Sequence, residues 1–215
     1  MPISDLERQI LQMGALAERI LERSIRAVRE RDLPLAEAVD RDDLEIDRLE
    51  VTLDAGILRA LALQAPVAED LRRVMAIKAM AVDLERVGDL ARNIARAAAR
   101  LAERPTTEFP ARLEPLEREA CEMLRRALDA FQAVDPVAAR GVIAADDRAD
   151  ALKDEIVSEL IAAIGRAPEL AAQAVDAILI AENLERVADH ATNVAEDVIL
   201  VAEARIVKHA EKLHS

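Results

Sequence analysis

Tryptophan and tyrosine are absent, and phenylalanine occurs only at Phe109 and Phe131. With so few aromatics and no run of alternating β-branched residues, the chain carries no strand signal. Glycine is scarce too, at five in 215 residues, while 52% of the chain is hydrophobic, mostly Ala, Leu, Val and Ile, and 33% is charged. That is the composition of long packed helices, in a chain long enough for one or two domains and a sizeable core. Cysteine appears once, at Cys121, which excludes an intrachain disulfide. With Met123 and Leu124 beside it and no histidine near in sequence, it reads as an ordinary helical thiol. A basic excess is missing: the net charge is −13. This argues against a nucleic-acid backbone or an anionic lipid surface as partner, and suits cations or a basic protein surface. No run of about 18 apolar residues exists to span a membrane. The start, Met1-Pro2-Ile3-Ser4-Asp5, turns acidic at once and lacks the basic-then-apolar pattern of a signal peptide, so a cytoplasmic location is expected.

What is present is one stretch, twice. Leu84-Glu85-Arg86-Val87-Gly88-Asp89-Leu90-Ala91-Arg92-Asn93 returns 100 positions later as Leu184-Glu185-Arg186-Val187-Ala188-Asp189-His190-Ala191-Thr192-Asn193. At about 100° per residue, Leu84, Val87, Gly88, Ala91, Ile94 and Ala95 share one arc, as do Leu184, Val187, Ala188, Ala191, Val194 and Ala195. This is a narrow stripe of small core residues. Opposite it stand Glu85, Asp89 and Asn93, and again Glu185, Asp189 and Asn193, with Glu196 extending the second row. Like charges four apart cost a helix roughly 0.2–0.5 kcal/mol. Three readings meet that cost: arginine three residues before each aspartate (Arg86, Arg186), a solvated face, or a metal ion held by hard oxygen ligands. The recurrence of Glu, Arg, Asp and Asn at matching offsets favours the metal.

Ser4, with Glu7 three residues on, reads as a capping box for a first helix running to about Arg31. Asp32-Leu33-Pro34 breaks it and starts a second helix to about Leu63; Gln64-Ala65-Pro66 leads to a third, to Ala102. Residues 103–110, with two prolines and no period, form the linker. The plan then repeats: a helix from Pro110 to Ala133, one from Asp135-Pro136 to about Gly165, and a last from Pro168 to Lys212. Val39, Asp43, Ile46 and Asp47 are matched by Val142, Asp146, Ala149 and Asp150. The expected architecture is all-α, two tandem antiparallel three-helix bundles, over 1–104 and 110–215. Short turns make the second and third helices of each bundle neighbours, which puts Asp43 and Asp47 near Glu85 and Asp89, and Asp146 and Asp150 near Glu185 and Asp189. Whether the acid rows face each other depends on helix rotation.

Tandem Leu-Glu-Arg-Val-x-Asp motifs with Asn four later, in two three-helix repeats across the whole chain, resemble the PhoU family of phosphate-transport regulators. The resemblance implies a cytoplasmic, non-enzymatic, often dimeric adaptor between a phosphate ABC transporter and a sensor histidine kinase, restraining the phosphate-starvation response. It also implies metal ions, iron clusters or other divalent metals (Fe, Zn, Mn or Mg), on Glu85, Asp89, Glu185 and Asp189. Two departures stand out: Leu90 where the second copy has His190, and Arg96 where it has Glu196. The second site is therefore expected to hold metal more tightly, with His190 at the edge of the acidic arc as ligand or hydrogen-bonding neighbour. The alternative is a metal-free helical scaffold. A ferritin-like di-metal oxidase has only Glu211 and His214 in its favour, and a phosphotransfer module only His190.

Overall fold

The computed structural model describes residues 2–106 and 108–207. Among these the chain is helical throughout, without a strand. The helices are α1 (Ile3–Glu30), α2 (Leu33–Gln64), α3 (Ala68–Ala102), α4 (Leu113–Ala133), α5 (Pro136–Ile143), α6 (Asp146–Arg166) and α7 (Ala171–Glu203). α3 packs on α1, α2 and α7; α7 packs on α4, α5, α6 and α3. The two motif helices are thus the centre of the molecule, and one continuous core runs through both halves. Their stripes explain why: Ala81, Leu84, Val87, Gly88, Ala91 and Ile94 on α3, and Ala181, Leu184, Val187, Ala188, Ala191 and Val194 on α7, are all buried.

Helix ends follow local chemistry. Asp32 caps α2, its carboxylate accepting from the Leu35 N–H at 2.9 Å, and Asp135 caps α5 from Val137 and Ala138. Ser4 does not cap α1. The helix begins two residues earlier, at Ile3, behind an extended Pro2 whose carbonyl accepts from the Asp5 and Leu6 N–H groups. With glycine scarce, several C-termini are closed by other residues in the left-handed region: Arg31, Ala65, Val134 and Ala204, at φ 54, 43, 52 and 55°. Arg31 turns this to use, its guanidinium donating to the carbonyls of Leu101 and Arg104 at the end of α3.

Further boundaries depart from expectation, among them the start of α4, at Leu113 rather than Pro110. The single helix expected from Pro136 to Gly165 is two, α5 and α6, bent at Ala144-Ala145. Both alanines stay in the right-handed helical region, and Ala145 N–H turns to the Val142 carbonyl, three back rather than four, so the chain bends without reversing. Asp146 and Asp147 then supply negative charge to the first turn of α6. The last helix starts after a single 3₁₀ turn at Pro168–Leu170 and ends at Glu203, where Ala204 closes it, rather than at Lys212. Glu211 and His214 lie outside the described residues. No helix among these residues is long and apolar enough to cross a membrane.

Candidate functional site

In each half the acid row of the motif helix faces acids of the preceding helix. In the first, Asp43 of α2 lies beneath α3 at 1% exposure, with Asp47, Glu85 and Asp89 half-buried around it. Gly88 permits this approach: a Cβ there would stand 2.7 Å from Asp43 Oδ1. Burial, and then Asp47, Asp89 and Asp40, push the Asp43 carboxyl up against the pull of Arg92. Glu85 is pushed up by burial first and Asp89 next. This half carries its own cation. Arg92 forks between the two helices, one amino group on Asp43 and the other on Asp89. Arg86 adds a looser contact to Asp89 at 3.3 Å.

In the second half the equivalent set is Asp146 and Asp150 of α6 with Glu185 and Asp189 of α7. Glu185 faces Asp150 across the α6–α7 hairpin, close enough that the Asp150 carboxylate disfavours a charge on Glu185. Accordingly the Glu185 carboxyl is pushed up to about 7, by burial first and then by Asp150 and Asp189. Burial and the facing acids raise Asp146 and Asp189 as well. Three basic groups act on this set without bridging its rows: Lys153, with Nζ 3.8 Å from Glu185, and His190 and Arg186, which draw Asp189 down through space. Where the first half has Arg92, the second has Thr192, whose hydroxyl lies 3.3 Å from Asp146 Oδ1. The second set is all hard oxygen, which suits a divalent cation. As they stand, however, no three His, Cys, Asp or Glu side chains among the described residues are grouped closely enough to hold a metal ion.

The structure does not bring the asparagines to the acid rows. Asn193 donates to Asp83 Oδ1 at 3.0 Å, and Asn93 reaches Asn183 Oδ1 at 3.5 Å, both across the seam between α3 and α7. A row spaced by four residues drifts about 40° per step, so two steps carry the amide round to the other motif helix. His190 belongs to the same seam, with Nδ1 2.8 Å from Asp83 Oδ1. Glu196, seven residues past Asp189, is half-buried. Arg96 reaches only exposed Asp40, at 3.5 Å, so Arg92 rather than Arg96 distinguishes the first cluster. Asp83 and Asn183 went unnoticed in the sequence, although a small polar residue at the same offset in both copies, inside a core stripe, was the signal.

A family model described as PhoU domain matches residues 10–98 and again 113–198. The chain belongs to the PhoU family. Two matches in tandem agree with the repeat read from the motifs. Among PhoU relatives, the phosphate-specific transport system accessory protein PhoU homolog of Rhizobium meliloti is 34% identical over 198 residues, 92% of this chain and 84% of the relative. That of Aquifex aeolicus is 34% identical over 96% of this chain and 94% of its own length. The crystal structure of PhoU from Pseudomonas aeruginosa matches with a TM-score of 0.91 at 30% identity, covering 94% of this chain and 97% of that one. The phosphate transport system regulatory protein PhoU from Streptococcus pneumoniae matches at 0.87 and 26%, over 95% and 97%.

Proposed function

We propose that this chain is a cytoplasmic, non-enzymatic accessory regulator of a phosphate-specific transport system, and that it works as a cation-dependent adaptor. The names of its relatives support the first part. By family resemblance its partners are the ATPase subunit of a phosphate ABC transporter and a sensor histidine kinase, with the chain acting as a homodimer that restrains uptake and starvation signalling. One observation carries the cation: Asp146 and Asp150 of α6 face Glu185 and Asp189 of α7, and no guanidinium bridges the two rows as Arg92 does in the first half. A divalent ion (Fe, Zn, Mn or Mg) supplies the missing positive charge when bound and offers open coordination positions to phosphate or a partner's carboxylate. The residues of this chain bring the acids together and fix the α6–α7 hairpin around them.

The competing reading is a metal-free scaffold, favoured by Lys153 beside Glu185 and by the lack of a ready-made three-ligand group. Thermal melting separates the two. An ion at a hundredfold excess over its Kd stabilises a fold by about 2.7 kcal/mol, read as a melting shift of roughly 5–10 °C in a chain of this size. The expected result is such a rise with Mn2+ after chelation, lost in Asp189→Asn. Equal melting with and without the ion supports the scaffold.

A further inference from the structure

Within the repeated motif, the third position at which the copies differ is Arg92 in one and Thr192 in the other. The structure shows what that difference does. Arg92 comes from α3 and reaches α2; its two amino groups take one carboxylate from each helix, Asp89 and Asp43, and its Nε lies 4.0 Å from Asp40 Oδ1. A guanidinium is permanently charged, and its planar fork fits carboxylate oxygens. It therefore lies between the two acid rows, where a soluble cation would need to sit, and uses oxygens of Asp43 and Asp89 that a metal would need. The first half does not fit the metal that the family resemblance implies for both motifs. In the second half Thr192 brings a neutral hydroxyl to one carboxylate, Asp146, and no guanidinium bridges the rows; the ammonium of Lys153 reaches Glu185 only at 3.8 Å.

We propose that Arg92 is a resident counter-cation that replaces the metal in the first half, so that this chain takes up divalent ion only between α6 and α7. The two hairpins then have different jobs. The α2–α3 hairpin is closed whatever the ion supply, and the α6–α7 hairpin alone responds to it. A single residue in each copy sets the difference, and exchanging the two residues exchanges the behaviour.

This inference rests on the reading of the second half as a cation site, and its test keeps the two apart. Hydrogen exchange is followed by mass spectrometry on the full chain, in Mn2+ and in EDTA, for the natural sequence, Arg92→Thr and Thr192→Arg. In the natural sequence EDTA speeds exchange in α6 by about tenfold and leaves α2 unchanged. In Arg92→Thr, α2 becomes EDTA-sensitive and Mn2+ restores its protection. In Thr192→Arg, α6 stays protected in EDTA. Mn2+ slowing α2 in the natural sequence overturns the inference, as does an α2 in Arg92→Thr that exchanges as in the natural sequence. If Arg92→Thr does not fold, Thr192→Arg decides: an α6 still opened by EDTA overturns the inference. An α6 indifferent to Mn2+ in the natural sequence, beside an Arg92→Thr whose α2 has become ion-dependent, rejects the second-half cation site and upholds Arg92 as counter-cation.

Discussion

The Glu185 carboxyl is held up to about 7 by burial first, then by Asp150 and Asp189. In the unfolded chain the group titrates near 4.5. A carboxyl raised in the folded state contributes stability that is present below the unfolded value and lost as pH climbs through the folded one. Metal-free protein should therefore weaken between about pH 4.5 and 7, with Asp146 and Asp189 acting in the same direction. Glu185→Gln mimics the protonated form, and should flatten that decline by on the order of 1 kcal/mol after discounting for partial exposure. Urea denaturation at pH 5 and pH 8 in chelator checks this; parallel pH profiles for both proteins would contradict it. Of this site the carboxylates were legible, because acids spaced by four residues in both copies form a pattern. Arg92 was not, because its copy-mate differs and the motif leaves the position blank. Asn93 and Asn193 are misplaced on the acid row because spacing by four looks straight on paper and drifts on a helix, whereas His190, expected at the edge of the acidic arc as ligand or hydrogen-bonding neighbour, hydrogen-bonds Asp83.

At the scale of elements, the closeness of α2 and α3 depends on Gly88. A methyl there would meet Asp43 Oδ1 at 2.7 Å and Ile46 Cδ1 at 2.9 Å, both on α2. Gly88→Ala gains helix propensity but must push α2 outward, and should destabilise the protein by about 1–3 kcal/mol while loosening the Arg92 fork. Ala188, at the same place in α7, is buried, so Ala188→Gly loses helix propensity and one buried methyl, about 2 kcal/mol together, without pushing α6 outward. Hydrogen exchange of both variants tests the contrast: Gly88→Ala should speed exchange in α2 while Ala188→Gly leaves α6 unchanged, and an unmoved α2 would contradict the close approach at Gly88. Most element boundaries were legible because prolines and capping aspartates mark them. The bend at Ala144-Ala145 was hidden, since alanine is the best helix former and nothing local marks a break there. The end of α7 was hidden for the same reason, an alanine in the left-handed region where glycine is the usual signal.

For the whole molecule, α3 and α7 run antiparallel, and polar residues tie them along their length. Asp83 meets His190 and Asn193 on one side of the crossing; buried Asp176 grips Arg100 and Arg104 on the other. Asp176 has Ala76 as its counterpart, so this clamp exists at one end of the pseudo-symmetric pair only. The halves were readable as repeats from their motifs. Their union into one core was not, because the small-residue stripes do not say which helix will cover them. Two acid clusters belong to one body, one closed by its own arginine and the other proposed to take up a cation. The most direct measurement is anomalous scattering from crystals grown in Mn2+ without chelator. The account predicts density among Asp146, Asp150, Glu185 and Asp189 and none between Asp43 and Asp89. Density in both clusters, or in neither, would contradict it.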